Sequence, residues 1–91
     1  ANAPDFMLGR DSRCDLIVKS DFSSRIHARI EYRRGKFVLI DQSTNGTYIV
    51  MENKQSIYIR REELPLVGVG TISLGESADD NSQHVIRFAC L

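Results

Sequence analysis

Short apolar, β-branched runs recur along the chain, each cut off by a polar or glycine-containing turn before a helical period can establish itself. Phe6-Met7-Leu8 stops at Gly9. Asp15-Leu16-Ile17-Val18 gives way to the polar segment from Lys19 to Arg25, and Ala28-Arg29-Ile30-Glu31-Tyr32 alternates with period two. The turn Arg33-Arg34-Gly35-Lys36 and the run Phe37-Val38-Leu39-Ile40 complete a hairpin. Tyr48-Ile49-Val50, Ser56-Ile57-Tyr58-Ile59, Thr71-Ile72-Ser73-Leu74 and His84-Val85-Ile86-Arg87-Phe88 read as further strands, the last two separated by an acidic turn from Glu76 to Asn81. Arg60-Arg61-Glu62-Glu63-Leu64 would suit a helical turn, but Pro65 follows too closely, so this segment reads as irregular. With no internal repeat, the pattern predicts an all-β, two-sheet sandwich.

Composition enters as a set of exclusions. A chain of 91 residues with 42% hydrophobic content supports one compact core of modest stability. The expectation is a single domain over residues 6–91, preceded at 1–5 by a disordered or vector-derived start. No apolar run approaches the roughly 20 residues needed to cross a bilayer, and the first residues lack a basic-then-apolar signal pattern. A soluble, cytoplasmic chain without membrane insertion is therefore expected. Cys14 and Cys90 stand far apart, with no Cys-x-x-Cys spacing and no histidine cluster, so free thiols are favoured over a disulfide and no metal site is expected. Net charge is zero, yet residues 10–36 carry eight Lys or Arg against four Asp or Glu, a balance of +4, and the remainder carries four against eight, a balance of −4. Such asymmetry steers an anionic partner toward one region, whereas a nucleic-acid binder would carry a larger basic excess.

The basic half contains the most suggestive stretch. Ser23-Ser24-Arg25-Ile26-His27 opens directly into the alternating strand at Ala28, so two hydroxyls, a guanidinium and an imidazole gather at one strand end. That composition suits an anion site. Arg10 stands just past the Gly9 strand end, and Asn45-Gly46 is the strongest turn dipeptide in the chain. Two other functions compete. Ser24, His27 and Asp41 are the residue types of a nucleophile, a base and its orienter, but Ser and His three apart at a strand entrance are expected to diverge across the pleat, and no Gly-x-Ser-x-Gly elbow occurs. A non-catalytic structural or oligomerising sandwich, using an exposed sheet edge, would need no ligand.

Gly9-Arg10, Ser24-Arg25-Ile26-His27 and Asn45-Gly46-Thr47 fall in that order at three successive strand-end loops, and together they resemble a forkhead-associated (FHA) domain over residues 6–91. The resemblance implies an FHA/SMAD-like sandwich without the opening strand that such domains usually carry before the Gly-Arg strand, since five residues precede Phe6. It implies a module that binds phosphothreonine in an extended peptide, with no cofactor. Arg10, Ser24 and Arg25 would supply donors to the phosphate, which carries roughly −1.5 to −2 charge and three strong acceptor oxygens. Asn45 would hold the peptide main chain, and Thr44 would contact the phosphothreonine. Gly9, His27 and Gly46 would support the site, the histidine by bracing the phosphate-binding loop. The segment Ile59 to Leu66, the Gly70 to Gly75 strand and the closing Ile86 to Leu91 are similar to FHA segments fused to bacterial adenylate or guanylate cyclases. That similarity implies the regulatory part of a larger signalling protein.

Overall fold

The computed structural model describes residues 5–53, 55–77 and 84–90. Residues 1–4 of the expected start and residues 78–81 of the expected acidic turn lie outside them. The described residues form nine strands: β1 (Phe6–Gly9), β2 (Leu16–Ile17), β3 (Ala28–Arg33), β4 (Lys36–Asp41), β5 (Thr47–Met51), β6 (Ser56–Ile59), β7 (Glu63–Leu66), β8 (Gly68–Leu74) and β9 (Val85–Cys90). They make a five-stranded sheet in the order β2-β1-β3-β4-β7 and a four-stranded sheet in the order β6-β5-β8-β9. The fold is an all-β two-sheet sandwich, as the sequence pattern predicts.

The hairpin of β3 and β4 shows how the local sequence sets register. Tyr32 pairs with Phe37 and Arg33 with Lys36, which leaves a two-residue turn at Arg34-Gly35. Both turn residues have positive φ, 51° and 82°, the type I′ geometry whose twist matches that of the strands it joins. The alternation of β3 then sends Ala28 fully into the core and leaves Tyr32 exposed.

Two elements depart from the sequence reading. The segment read as irregular, Arg60 to Leu64, runs into β7, which begins at Glu63 and contains Pro65. Proline is tolerated because β7 is an edge strand paired only with β4, where the missing N–H costs no ladder bond on the open side. The expected second strand contracts to Leu16-Ile17 and lies parallel to β1, with Leu8 beside Leu16. Parallel neighbours ordinarily need a long crossover. Here a compact loop suffices because β2 is so short. The Cys14 N–H donates to the Asp11 carbonyl at 3.0 Å, and the Asp15 carboxylate accepts the Met7 N–H at 2.7 Å.

Both sheets contribute to one apolar cluster. Leu8, Ala28, Leu39 and Leu66 come from the first, and Ile49, Ile59, Ile72 and Leu74 from the second, with Val18 beside them. Fully burying a side chain of this size stabilises by about 1.5–3 kcal/mol, so the sandwich interior is the main support of the loops at its ends. Cys14 is buried and Cys90 half-buried, both as free thiols. Registry brings one set of loops together. Leu8 pairs with Ala28 and Ala28 with Asp41, which places the end of β1, the start of β3 and the end of β4 side by side.

Candidate anion-binding site

The loop that leads into β3 is zipped onto the end of β1. His27 N–H donates to the Leu8 carbonyl at 2.8 Å, Arg10 N–H to the Ser24 carbonyl at 3.0 Å, and Asp11 N–H to the Arg25 carbonyl at 3.1 Å. Residues distant in sequence, Arg10 and Ser24-Arg25, thereby become neighbours. Gly9 permits the approach: a Cβ there would collide with the Arg25 carbonyl and lie 2.9 Å from the His27 nitrogen, both backbone atoms that cannot step aside. The sequence motif needs glycine at this position for contact rather than for an unusual φ.

His27 is fully buried and ties three segments together. Its Nδ1 accepts the Ser24 N–H at 3.0 Å, which requires that nitrogen to be unprotonated. Its Nε2 then carries the proton and donates to the Gly46 carbonyl at 2.7 Å. The pKa of the ring lies below its ordinary value because burial penalises the imidazolium, a penalty larger than the opposing pull of the Gly46 carbonyl and of Asp41. The expected divergence of Ser24 and His27 does not occur, since the ring folds back beneath its own loop. The partner is the Ser24 amide, however, not its hydroxyl. With one ring nitrogen spent on an amide and the other on a carbonyl, His27 has no lone pair to offer as a base. The Ser24, His27 and Asp41 trio does not form a nucleophilic triad.

The β4–β5 loop supplies the opposite wall. Thr44 N–H donates to the Ser24 hydroxyl at 3.3 Å, which leaves the hydroxyl hydrogen available for an outside acceptor. Thr44 and Asn45 are exposed, and Gly46, buried, turns with φ 87°. Asn45 Nδ2 donates to the Phe22 carbonyl at 3.0 Å. One amide hydrogen and the side-chain oxygen remain for a ligand.

Sequence reasoning missed what holds this wall. Asp41, 3% exposed, accepts bonds from the Ser43 hydroxyl at 2.8 Å, the Thr47 hydroxyl at 2.6 Å, the Ser43 N–H at 3.1 Å and the Arg61 N–H at 2.8 Å. Burial alone would raise its pKa, but these donors outweigh that penalty and hold the carboxyl below its usual range. The one available signal was the Asp-x-Ser spacing, which favours a side-chain-to-backbone turn. Nothing in sequence announces Arg61, whose φ of 55° is unusual for a side-chain-bearing residue and aims its N–H at Asp41.

The electrostatics favour an anion. A surface ion pair is the competing role for Arg10, with Asp11 or Asp15 as its natural partners. Asp11 instead pairs with Arg13 at 3.0 Å, which draws its pKa down to about 2, and Asp15 caps Met7. The ion pairs among the described residues engage Arg13, Arg29, Arg33 and His27, and neither Arg10 nor Arg25. Both guanidiniums are exposed at the same loop cluster. Thus Arg10, Ser24, Arg25, Thr44 and Asn45 are brought to one end of the sandwich, with Gly9, His27 and Gly46 beneath them. Among the described residues, no group of three or more His, Cys, Asp or Glu could hold a metal ion, and no helix is long and apolar enough to cross a membrane.

A family model for the FHA domain matches residues 6–68. The chain belongs to the FHA family. Among solved structures, this FHA domain is similar to FHA-1 of Mycobacterium tuberculosis Rv1747, with 29% identity, TM-score 0.63, and coverage of 82% of this chain and 70% of that one. M. tuberculosis EmbR in complex with a low-affinity phosphopeptide matches at 24% identity and TM-score 0.71, over 97% of this chain and 20% of EmbR. The chain thus spans about a fifth of EmbR's length. The N-terminal FHA domain of S. cerevisiae Rad53p, in complex with a phosphothreonine peptide, matches at 20% identity and TM-score 0.62, over 92% of this chain and 64% of that one. These last two likenesses concern fold alone. Comparison with curated proteins gives no match. FHA domains are non-catalytic binding modules, in keeping with the committed nitrogens of His27.

Proposed function

We propose that this FHA domain binds phosphothreonine in an extended peptide and so mediates phosphorylation-dependent protein–protein interaction. The observation that carries the reading is the convergence of Arg10, Ser24 and Arg25, two guanidiniums without carboxylate partners among the described residues and a hydroxyl hydrogen left to donate. A phosphate dianion matches such a set, and each charge-assisted hydrogen bond contributes about 1.5–3 kcal/mol. Asn45 retains one donor and one acceptor, the pair an extended main chain presents. Thr44 lies beside the Ser24 hydroxyl, where the γ-methyl of phosphothreonine would pack. The solved complexes of FHA proteins with a phosphothreonine peptide and a phosphopeptide add support for the ligand class.

The reading extends to context. Residues 6–91 act as one domain, supported by the single apolar cluster to which both sheets contribute. The similarity of Ile59 to Leu66, Gly70 to Gly75 and Ile86 to Leu91 to cyclase-fused FHA segments supports a regulatory, cytoplasmic role within a larger bacterial signalling protein, of the adenylate or guanylate cyclase kind. The test is an oriented phosphothreonine peptide library, titrated by calorimetry against unphosphorylated and phosphoserine versions. Phosphate-dependent binding is expected, with phosphothreonine preferred over phosphoserine by about fourfold or more, the worth of one buried methyl of about 0.8 kcal/mol. A library without any phosphate-dependent binder would remove the reading and leave a structural sandwich whose open β9 edge pairs with other chains.

A further inference from the structure

Two exposed aromatic side chains bracket Asn45. Its side-chain nitrogen donates to the carbonyl of Phe22, and its own carbonyl accepts the Tyr58 hydroxyl at 3.1 Å. Phe22 comes from the β2–β3 loop and Tyr58 from β6, so residues far apart in sequence meet at one point of the site's rim. Both side chains remain about half exposed, at 51% and 48%. Neither is loose. The Tyr58 ring lies against Gly46, where a Cβ would collide with it, and packs on Tyr48 with ring centroids 4.8 Å apart. The Phe22 backbone is pressed against Gly75, whose N–H donates to the Gly46 carbonyl at 2.9 Å. The exposed pair of Tyr32 and Phe37, by contrast, sits near the β3–β4 turn, at the other end of those strands from Ala28 and Asp41.

We infer that Phe22 and Tyr58 form an apolar clamp that selects phosphopeptides carrying an apolar or aromatic side chain near the phosphothreonine. The inference rests on the phosphopeptide reading above and adds the chemistry of the flanking residue. A peptide whose phosphate meets Arg10, Ser24 and Arg25 and whose main chain is held by Asn45 must pass between the two residues bonded to Asn45. A side chain projecting there meets rings rather than charge. An apolar side chain removes ring surface and its own surface from water together, whereas an aspartate or lysine is desolvated without a partner. Position along the peptide follows from the phosphate anchor, so the preference is confined to one flanking position.

The experiment fixes the phosphothreonine and replaces each flanking residue in turn by Ala, Leu, Phe, Asp or Lys, with affinities measured for the wild type, Phe22→Ala and Tyr58→Phe. In the wild type, Leu or Phe at one position is expected to bind about tenfold tighter than Asp there, the effect of burying part of such a side chain. Phe22→Ala should reduce that ratio to about twofold or less while phosphate dependence persists. Tyr58→Phe keeps the ring and should keep the preference. Thermal melts establish that both variants remain folded. Phosphate-dependent binding with no apolar preference at any position would overturn the clamp alone, as would a preference undiminished in Phe22→Ala. Absence of phosphate-dependent binding would overturn the clamp together with the reading beneath it.

Discussion

His27 and Ser24 sit three residues apart and serve opposite purposes, which can be separated by substitution. Removing the imidazole leaves the Ser24 N–H and the Gly46 carbonyl without their partner at the centre of the loop cluster. A buried polar group stripped of its bond costs about 1–3 kcal/mol, so His27→Ala should lower stability by about 2–5 kcal/mol in urea denaturation. Ser24→Ala removes an exposed-side acceptor held at 3.3 Å, and Arg10→Ala removes a side chain without an ion pair among the described residues. Both should leave stability within about 0.5 kcal/mol of wild type, yet each deletes a charge-assisted bond to the phosphate and should weaken peptide binding about tenfold or more. Equal destabilisation by all three would contradict this division of roles. Asp41 belongs with His27 on the supporting side, because every oxygen contact it makes is to the protein's own loops.

At the scale of strands and loops, the site depends on how closely two backbones approach. A methyl at Gly9 would strike the Arg25 carbonyl, and the loop cannot retreat while Arg10, Asp11 and His27 amides all stitch it to the β1 end. Gly9→Ala should therefore lower the melting temperature and weaken phosphopeptide binding, although no side chain that faces the phosphate has changed. Peptide affinity unaltered in Gly9→Ala would show that the loop position does not matter. The elements that carry the site were legible in the sequence because their signals are local: alternation across Ala28 to Tyr32, a turn at Arg34-Gly35, and polar residues at the strand entrances. Elements that depend on distant partners were not. β7 was hidden because Pro65 looks like a breaker until its place at the sheet edge is known. The parallel pairing of β2 was hidden because it rests on a short loop folded by Asp11 and Asp15 rather than on a crossover. The same holds within the site. Arg10, Ser24 and Asn45 announce themselves by motif, whereas the bracketing of Asn45 by Phe22 and Tyr58 joins residues with 23 and 13 positions between their numbers.

For the molecule as a whole, the balance of charge is zero, so its response to pH comes from particular buried groups rather than from net repulsion. Two of these act in sequence on acidification. His27 in the folded state has a pKa below 6.5, because burial opposes the charged ring, whereas the unfolded chain takes up the proton near its ordinary value. Between those two values the unfolded state binds more protons, and stability must fall as pH falls. The sign is fixed by which state holds the extra proton. A single group can impose a slope of at most about 1.4 kcal/mol per pH unit in that window. Asp41 enters later. Its folded pKa lies below the ordinary carboxylate value, so its contribution is complete above about pH 4 and is lost as pH falls through the depressed value. Peptide affinity also declines in acid because the second phosphate pKa is near 6, so the measurement belongs on the ligand-free domain. Urea midpoints from pH 7.5 down to 5 should decrease for the wild type, and the decrease should flatten in His27→Gln, which lacks the titrating ring whatever its starting stability. A wild-type midpoint independent of pH across that interval would mean that His27 is not held neutral, and would remove the tautomer by which it joins Ser24 to Gly46.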